Sequence, residues 1–152
     1  MRLKKIGVVS SRYRTPEEIS HRNTEWLADT CEIRLEEKYG PKLNGIEEFS
    51  HIIVVYWMHK AGKKPKDMPN DIGIFATRTP IRPNPIGLSV VELVSRKDNI
   101  LVVKGLDAID GTPVLDIKPY IPSKDSINDA KIPLWLEKLP KELESFIDEL
   151  GV

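Results

Sequence analysis

Between Gly73 and Ser89 the chain reads Gly-Ile-Phe-Ala-Thr-Arg-Thr-Pro-Ile-Arg-Pro-Asn-Pro-Ile-Gly-Leu-Ser, which sets Arg78, Arg82 and Asn84 among three prolines that fall within six residues. Each proline fixes its own φ, gives up a backbone donor and pushes its predecessor toward extended geometry. A stiff connection of this kind aims guanidinium and amide groups in fixed directions and binds a ligand at little ordering cost. The same composition also suits a proline-guarded sheet edge. A second stretch, Gly105 to Tyr120, carries Asp107, Asp110 and Asp116 around tight backbone features. An aspartate at a strand end accepts from ribose hydroxyls or an amino group, or takes a proton during catalysis. Asp110 precedes Gly111 and fits a turn. Asp116 lies two positions from Lys118, so on a strand the two share a face and can pair. Asp107 has no such structural duty, which makes it the strongest functional candidate of the three. A third stretch follows Trp57, Met58 and His59, where Lys60, Lys63, Lys64 and Lys66 put four lysines in seven positions. Such a run either contacts phosphates or forms a solvated surface loop.

Other chemistries find no support. The G-x-G-x-x-G, G-x-x-x-x-G-K-[ST], H-E-x-x-H and G-x-S-x-G signatures are absent. Three histidines and one cysteine make a poor metal inventory. On one continuous strand His51 and His59 would stand roughly 26 Å apart, too far to share an ion. No metal is expected. Cys31 is the only cysteine, which excludes an internal disulfide and fits a reducing cytoplasm. The longest uninterrupted apolar run, Ile52 to Met58, is far short of the roughly 20 residues that span a bilayer, and the start lacks the apolar core of a signal peptide.

The elements that must position these groups are short. Apolar segments at Ile6–Val9, Cys31–Leu35, His51–Met58, Ile72–Ala76, Leu88–Val94, Ile100–Val103 and Val114–Ile117 give about seven strand candidates. His51–Met58 is β-branched and aromatic, as in a strand buried on both faces. Arg96-Lys97-Asp98-Asn99 and Asp110-Gly111 are turns of hairpin type. Thr15-Pro16-Glu17-Glu18 resembles a helix start. Pro133 to Leu150 spaces its apolar residues by three and four, as in an amphipathic helix interrupted near Pro140. The pattern predicts a mainly β domain, a barrel or a sandwich, with peripheral helices. It is expected to fill residues 1–152, with 133–150 as a C-terminal helix and no second domain.

With 23 basic and 23 acidic side chains the chain is formally neutral, which removes the simplest argument for a nucleic-acid binder. The sum hides a segregation. Glu137, Glu142, Glu144, Asp148 and Glu149 face only Lys138 and Lys141 in the C-terminal stretch, whereas the Lys60–Lys66 run holds no acid.

Gly73 to Ser89, Leu106-Asp-Ala-Ile-Asp-Gly-Thr-Pro-Val-Leu-Asp-Ile-Lys-Pro-Tyr-Ile-Pro122 and Gly45-Ile-Glu-Glu-Phe-Ser-His51 together resemble the TrmO family, over roughly Leu3 to Ser126. The resemblance implies a single small closed β-barrel, in keeping with the mainly β pattern of about seven strands and peripheral helices, and a protein that acts as a homodimer. It implies an S-adenosyl-L-methionine-dependent methyltransferase acting on N6 of threonylcarbamoyl-adenosine at position 37, in the tRNA anticodon loop. Cofactor contacts would come from Met58, His59, Arg78, Leu88 and the turn Gly105, Leu106, Asp107 and Ala108. Arg82, Asn84 and Lys118 would face the nucleotide, and Asp110, Asp116 and Tyr120 are unranked candidates for the base that removes the N6 proton. The chain departs from the family at Ser20-His21-Arg22, where many members carry Pro-Arg-Gln in the cofactor loop. A catalytically silent module that holds an adenine-containing ligand or RNA on the same barrel is the rival reading.

Overall fold

A computed structural model of the protein describes residues 1–19, 24–61 and 72–137. Six strands close into one barrel: β1 (Gly7–Ser10), β2 (Thr30–Leu35), β3 (His51–Trp57), β4 (Ile86–Lys97), β5 (Ile100–Lys104) and β6 (Pro113–Pro119), in the spatial order β1-β2-β5-β4-β3-β6. Every neighbouring pair is antiparallel. The expected mainly β barrel is therefore present, with six strands instead of about seven. The difference lies at Ile72–Ala76. There Ile74–Ala76 forms a 3₁₀ turn closed by Ala76 N–H on Gly73 O at 2.9 Å, and Phe75 points into solvent, so the segment joins no ladder.

Closure gives the chain one inside and one outside, and side chains of alternate residues fill the inside. Val9, Ile33, Ile52, Val54, Val91, Leu101, Val103 and Val114 form the sealed interior. β3 shows the consequence: Ile52, Val54 and Tyr56 are buried, whereas Ile53, Val55 and Trp57 on the outer face are half-covered. Burial on both faces was the expectation; a single-layer barrel gives full burial to only one.

Two irregularities interrupt the ladders. β4 pairs with β3 over Ile86–Glu92, then passes through a bulge between Leu93 and Ser95 while pairing with β5. The β3–β6 register slips between Val55 and Tyr56, so that Leu115 becomes the extra residue; such bulges re-aim neighbouring side chains. Asp98, with φ of 53°, turns the chain between β4 and β5, as the sequence indicates. Asp110-Gly111 also turns, with Gly111 at φ of 78°, but it joins no hairpin. β5 pairs with β2 and β4, and β6 with β1 and β3, so residues 105–112 instead cross the barrel end. Thr15–Glu18 starts a short 3₁₀ turn, Pro16–Glu18, with Glu18 Oε2 accepting from Thr15 N–H at 2.9 Å. Of the expected C-terminal helix, Leu134–Glu137 is helical, and the rest lies outside the described residues. Lys63, Lys64, Lys66 and Ser20-His21-Arg22 also lie outside them.

Candidate functional site

The first crossing residues, Leu106 to Ala108, alternate in direction. Leu106 and Ala108 are buried against the core, and Asp107 between them is exposed on the opposite side. The two apolar anchors thereby fix the backbone on which Asp107 stands. Gly105, at φ of 80°, starts this crossing, and its N–H donates to Asp29 O at 3.2 Å. Leu106, expected among cofactor contacts, serves here as a plug of the barrel end.

Tyr56 reaches the same carboxylate from inside the barrel. Its hydroxyl donates to Asp107 Oδ1 at 2.8 Å, and Ser89 Oγ donates to that oxygen at 2.5 Å. The two hydroxyls lie 3.1 Å from one another. Tyr56 can lie there because Gly87, its partner across the β3–β4 register, has no side chain. A Cβ on Gly87 would sit 2.4 Å from two ring carbons. Burial foremost, and the Asp107 charge after it, pushes the Tyr56 phenol far above its usual range, so it stays a donor at any physiological pH.

The proline-rich arm forms the facing wall. Thr77 and Thr79 are buried, and Arg78 between them is exposed, with Nη2 donating to Leu88 O at 2.9 Å. Thr77 Oγ1 donates to Ile74 O at 2.8 Å. Arg82 Nη1 donates to Thr77 O at 3.0 Å and Thr79 O at 3.4 Å, so this arginine braces the arm from within. Pro85 O accepts from Met58 N–H at 2.7 Å, tying the arm to the end of β3. Because the barrel is closed, the arm has no sheet edge to guard.

Wall, turn and strand ends enclose an open cleft of about 1360 Å³. The expected residues Met58, His59, Arg78, Leu88, Gly105, Asp107, Ala108, Arg82 and Asn84 all line it. Phe75, 78% exposed, stands in the same lining. His59 is held below its usual pKa by burial first and the Lys60 charge second, which keeps the imidazole neutral at pH 7. Four expected residues lie elsewhere. Asp110 Oδ1 accepts from Ser11 N–H at 3.0 Å, a turn role. Asp116 and Lys118 pair with each other at 2.8 Å on the outer face of β6. Tyr120 meets His51 edge-on with ring centroids 6.4 Å apart. That is the opposite end of β3, five residues or about 17 Å from Tyr56. Tyr56, Ser89 and Phe75 are among the cleft residues that sequence reasoning did not single out. The available signal was a lone phenol in a β-branched strand, and it names no partner until the barrel closes.

The cleft can take a ligand with both polar and apolar parts. Asp107 offers a carboxylate oxygen, Arg78 a cation, and Met58, Ile81 and Ile86 an apolar floor. Its volume exceeds the roughly 300–1,000 Å³ of ordinary small-molecule pockets, leaving space for a ligand and part of a second reactant. Among the described residues no cluster of three or more His, Cys, Asp or Glu is placed to hold a metal, and no helix is long and apolar enough to cross a membrane.

Comparison with known proteins gives one family. The family model described as tRNA-methyltransferase O N-terminal domain matches residues 8–126. Over 136 residues the chain is 44% identical to an S-adenosyl-L-methionine-binding protein of Archaeoglobus fulgidus, covering 86% of this chain and 97% of that one. A second protein of that organism, named a probable S-adenosyl-L-methionine-binding protein, is 42% identical over 91% of this chain and 38% of its own length. The tRNA (adenine(37)-N6)-methyltransferase of Escherichia coli is 37% identical over 82% of this chain and 60% of its own. The crystal structure of TrmO from Pseudomonas aeruginosa superimposes with a TM-score of 0.76 at 33% identity, over 88% of this chain and 62% of that chain. The chain thus spans less than two thirds of several of the relatives it matches.

Proposed function

The chain belongs to the family of tRNA-methyltransferase O N-terminal domains, and from that membership we propose that it binds S-adenosyl-L-methionine in the cleft and methylates N6 of adenosine 37 in tRNA. One observation carries the placement: the two stretches that hold the family motifs, 73–89 and 105–112, meet across a single cleft. When bound, the cofactor supplies an electrophilic methyl group. The chain's own groups supply binding and orientation, and holding two reactants in line is worth effective molarities of about 10⁵–10⁸ M. Asp107 accepts from a donor group of the cofactor. Arg78 orders the wall that faces it through Leu88 O. Asn84 and Phe75 stand in the lining where the target nucleotide enters, the exposed ring serving as a stacking face for an unstacked base. Neutral His59 lines the cleft as an acceptor, a place that Asp110, Asp116 and Tyr120 do not reach.

The finer reading is that the base methylated is threonylcarbamoyl-adenosine of the anticodon loop, and that the enzyme is a cytoplasmic homodimer. Leu88, Val90 and Val94 give the outer face of β4 an apolar strip, each about half exposed, which supports self-association. Calorimetry with S-adenosyl-L-homocysteine tests the cofactor, and absence of binding heat sinks it. Transfer of labelled methyl into unfractionated tRNA, abolished by Asp107→Ala, tests the reaction. Binding without transfer would leave the silent-module reading in its place.

A further inference from the structure

Two hydroxyls and one carboxylate hold three short oxygen contacts with only two protons between them. Tyr56 has one O–H and Ser89 has one O–H, and both point at Asp107 Oδ1, at 2.8 Å and 2.5 Å. Nothing donated is left for the 3.1 Å contact between the hydroxyls, which is the close approach of two donors onto one acceptor. The phenol cannot surrender its proton, since burial and the neighbouring charge both oppose ionisation. The ring cannot swing away either, because it is packed over Gly87 inside a closed core. Oδ1 is therefore engaged from the protein side, and Oδ2 is the oxygen that Asp107, exposed at the cleft, presents outward.

We propose that Tyr56 and Ser89 are a positioning pair that locks the Asp107 carboxylate so that Oδ2 alone receives one N–H or O–H donor of the bound ligand. The inference rests on the S-adenosyl-L-methionine reading above and deepens it. A free carboxylate clamps two donors at once; a carboxylate held at Oδ1 reads one. The cofactor class offers that donor from three places: the ammonium of its amino acid portion, a ribose hydroxyl, or the exocyclic amino group of adenine.

The test is calorimetric titration of the full chain with S-adenosyl-L-homocysteine. Tyr56→Phe keeps the ring and removes the donor, and Ser89→Ala removes the second donor on a strand position that tolerates it. Each is expected to weaken binding about tenfold or more, the worth of one hydrogen bond to a charged acceptor. Ser89→Thr, which keeps a hydroxyl, is expected to bind as the parent does. In an Asp107→Asn background, Tyr56→Phe is expected to add little, because the group it positions is already gone. 5′-Methylthioadenosine, which lacks the amino acid portion, narrows the donor: a penalty that persists places a nucleoside donor, a ribose hydroxyl or the adenine amino group, on Oδ2, and one that vanishes places the ammonium of the amino acid portion there. Parent-like binding by both Tyr56→Phe and Ser89→Ala, or full additivity with Asp107→Asn, overturns the positioning role while cofactor binding by the parent stands. A parent chain that gives no heat overturns the cofactor reading itself.

Discussion

Gly87 is small because Tyr56 occupies the space where its side chain would be. Gly87→Ala places a methyl 2.4 Å from the ring, and overpacking of a tight core costs about 1–3 kcal/mol. The displaced phenol loses Asp107, so cofactor binding is expected to fall further than stability does; paired urea melts and calorimetry check this. Cys31 illustrates a residue whose chemistry is suppressed by packing. Burial, with a smaller push from Glu32, raises its pKa to about 11. At pH 8 about one thiol in a thousand is then ionised, so alkylation by iodoacetamide is expected to be slower by two orders of magnitude than for a free thiol. The sign for stability follows. The folded state holds this proton more tightly than the unfolded chain, so the contribution is complete below about pH 8.5 and is lost as pH rises toward 11.

The proline-rich arm, rather than any single side chain, makes one wall of the cleft. Its conformation depends on Arg82, whose guanidinium collects the carbonyls of Thr77 and Thr79. Arg82→Ala is expected to loosen the arm at a cost of about 1–3 kcal/mol, seen as cofactor binding weakened about tenfold. The arm lies outside the ladders, so the urea midpoint should move much less than for a core deletion; a large loss of stability with binding intact would contradict the assignment. The composition of this arm was legible in the sequence as stiffness with three polar groups. What each group does was not. Arg82 braces, Arg78 faces outward, and only the alternation of buried Thr77 and Thr79 decides which is which. The same holds for the carboxylates. Asp110 as a turn residue and Asp116 as the partner of Lys118 were readable from spacing, whereas Ile72–Ala76 reads as a strand and curls instead because no neighbouring strand is free to receive it.

For the molecule as a whole, the proposed tRNA substrate makes a prediction that rests on the chain's neutral charge. With 23 basic side chains balanced by 23 acidic ones, contacts with phosphates are expected to be few and local. Three or four of them give a salt dependence of log K on log salt with a slope of about −3. Filter binding of tRNA between low and moderate salt measures it, and a slope near −8 would require a contact surface other than the cleft rim.

Composition, periodicity and turn chemistry determined by themselves that this chain makes short strands and buries their alternate residues in a barrel or a sandwich. They also marked Asp107 and the arm as candidates for function, since a side chain with no local duty and a rigid run of prolines are both local properties. Closure of the barrel decided the rest. It brings Tyr56, Ser89 and Asp107, separated by 33 and 18 residues in sequence, onto one oxygen atom, and it sends Tyr120 to the far end of β3. Such meetings are set by strand order and register, which depend on the whole sheet closing at once and leave no trace in any one segment.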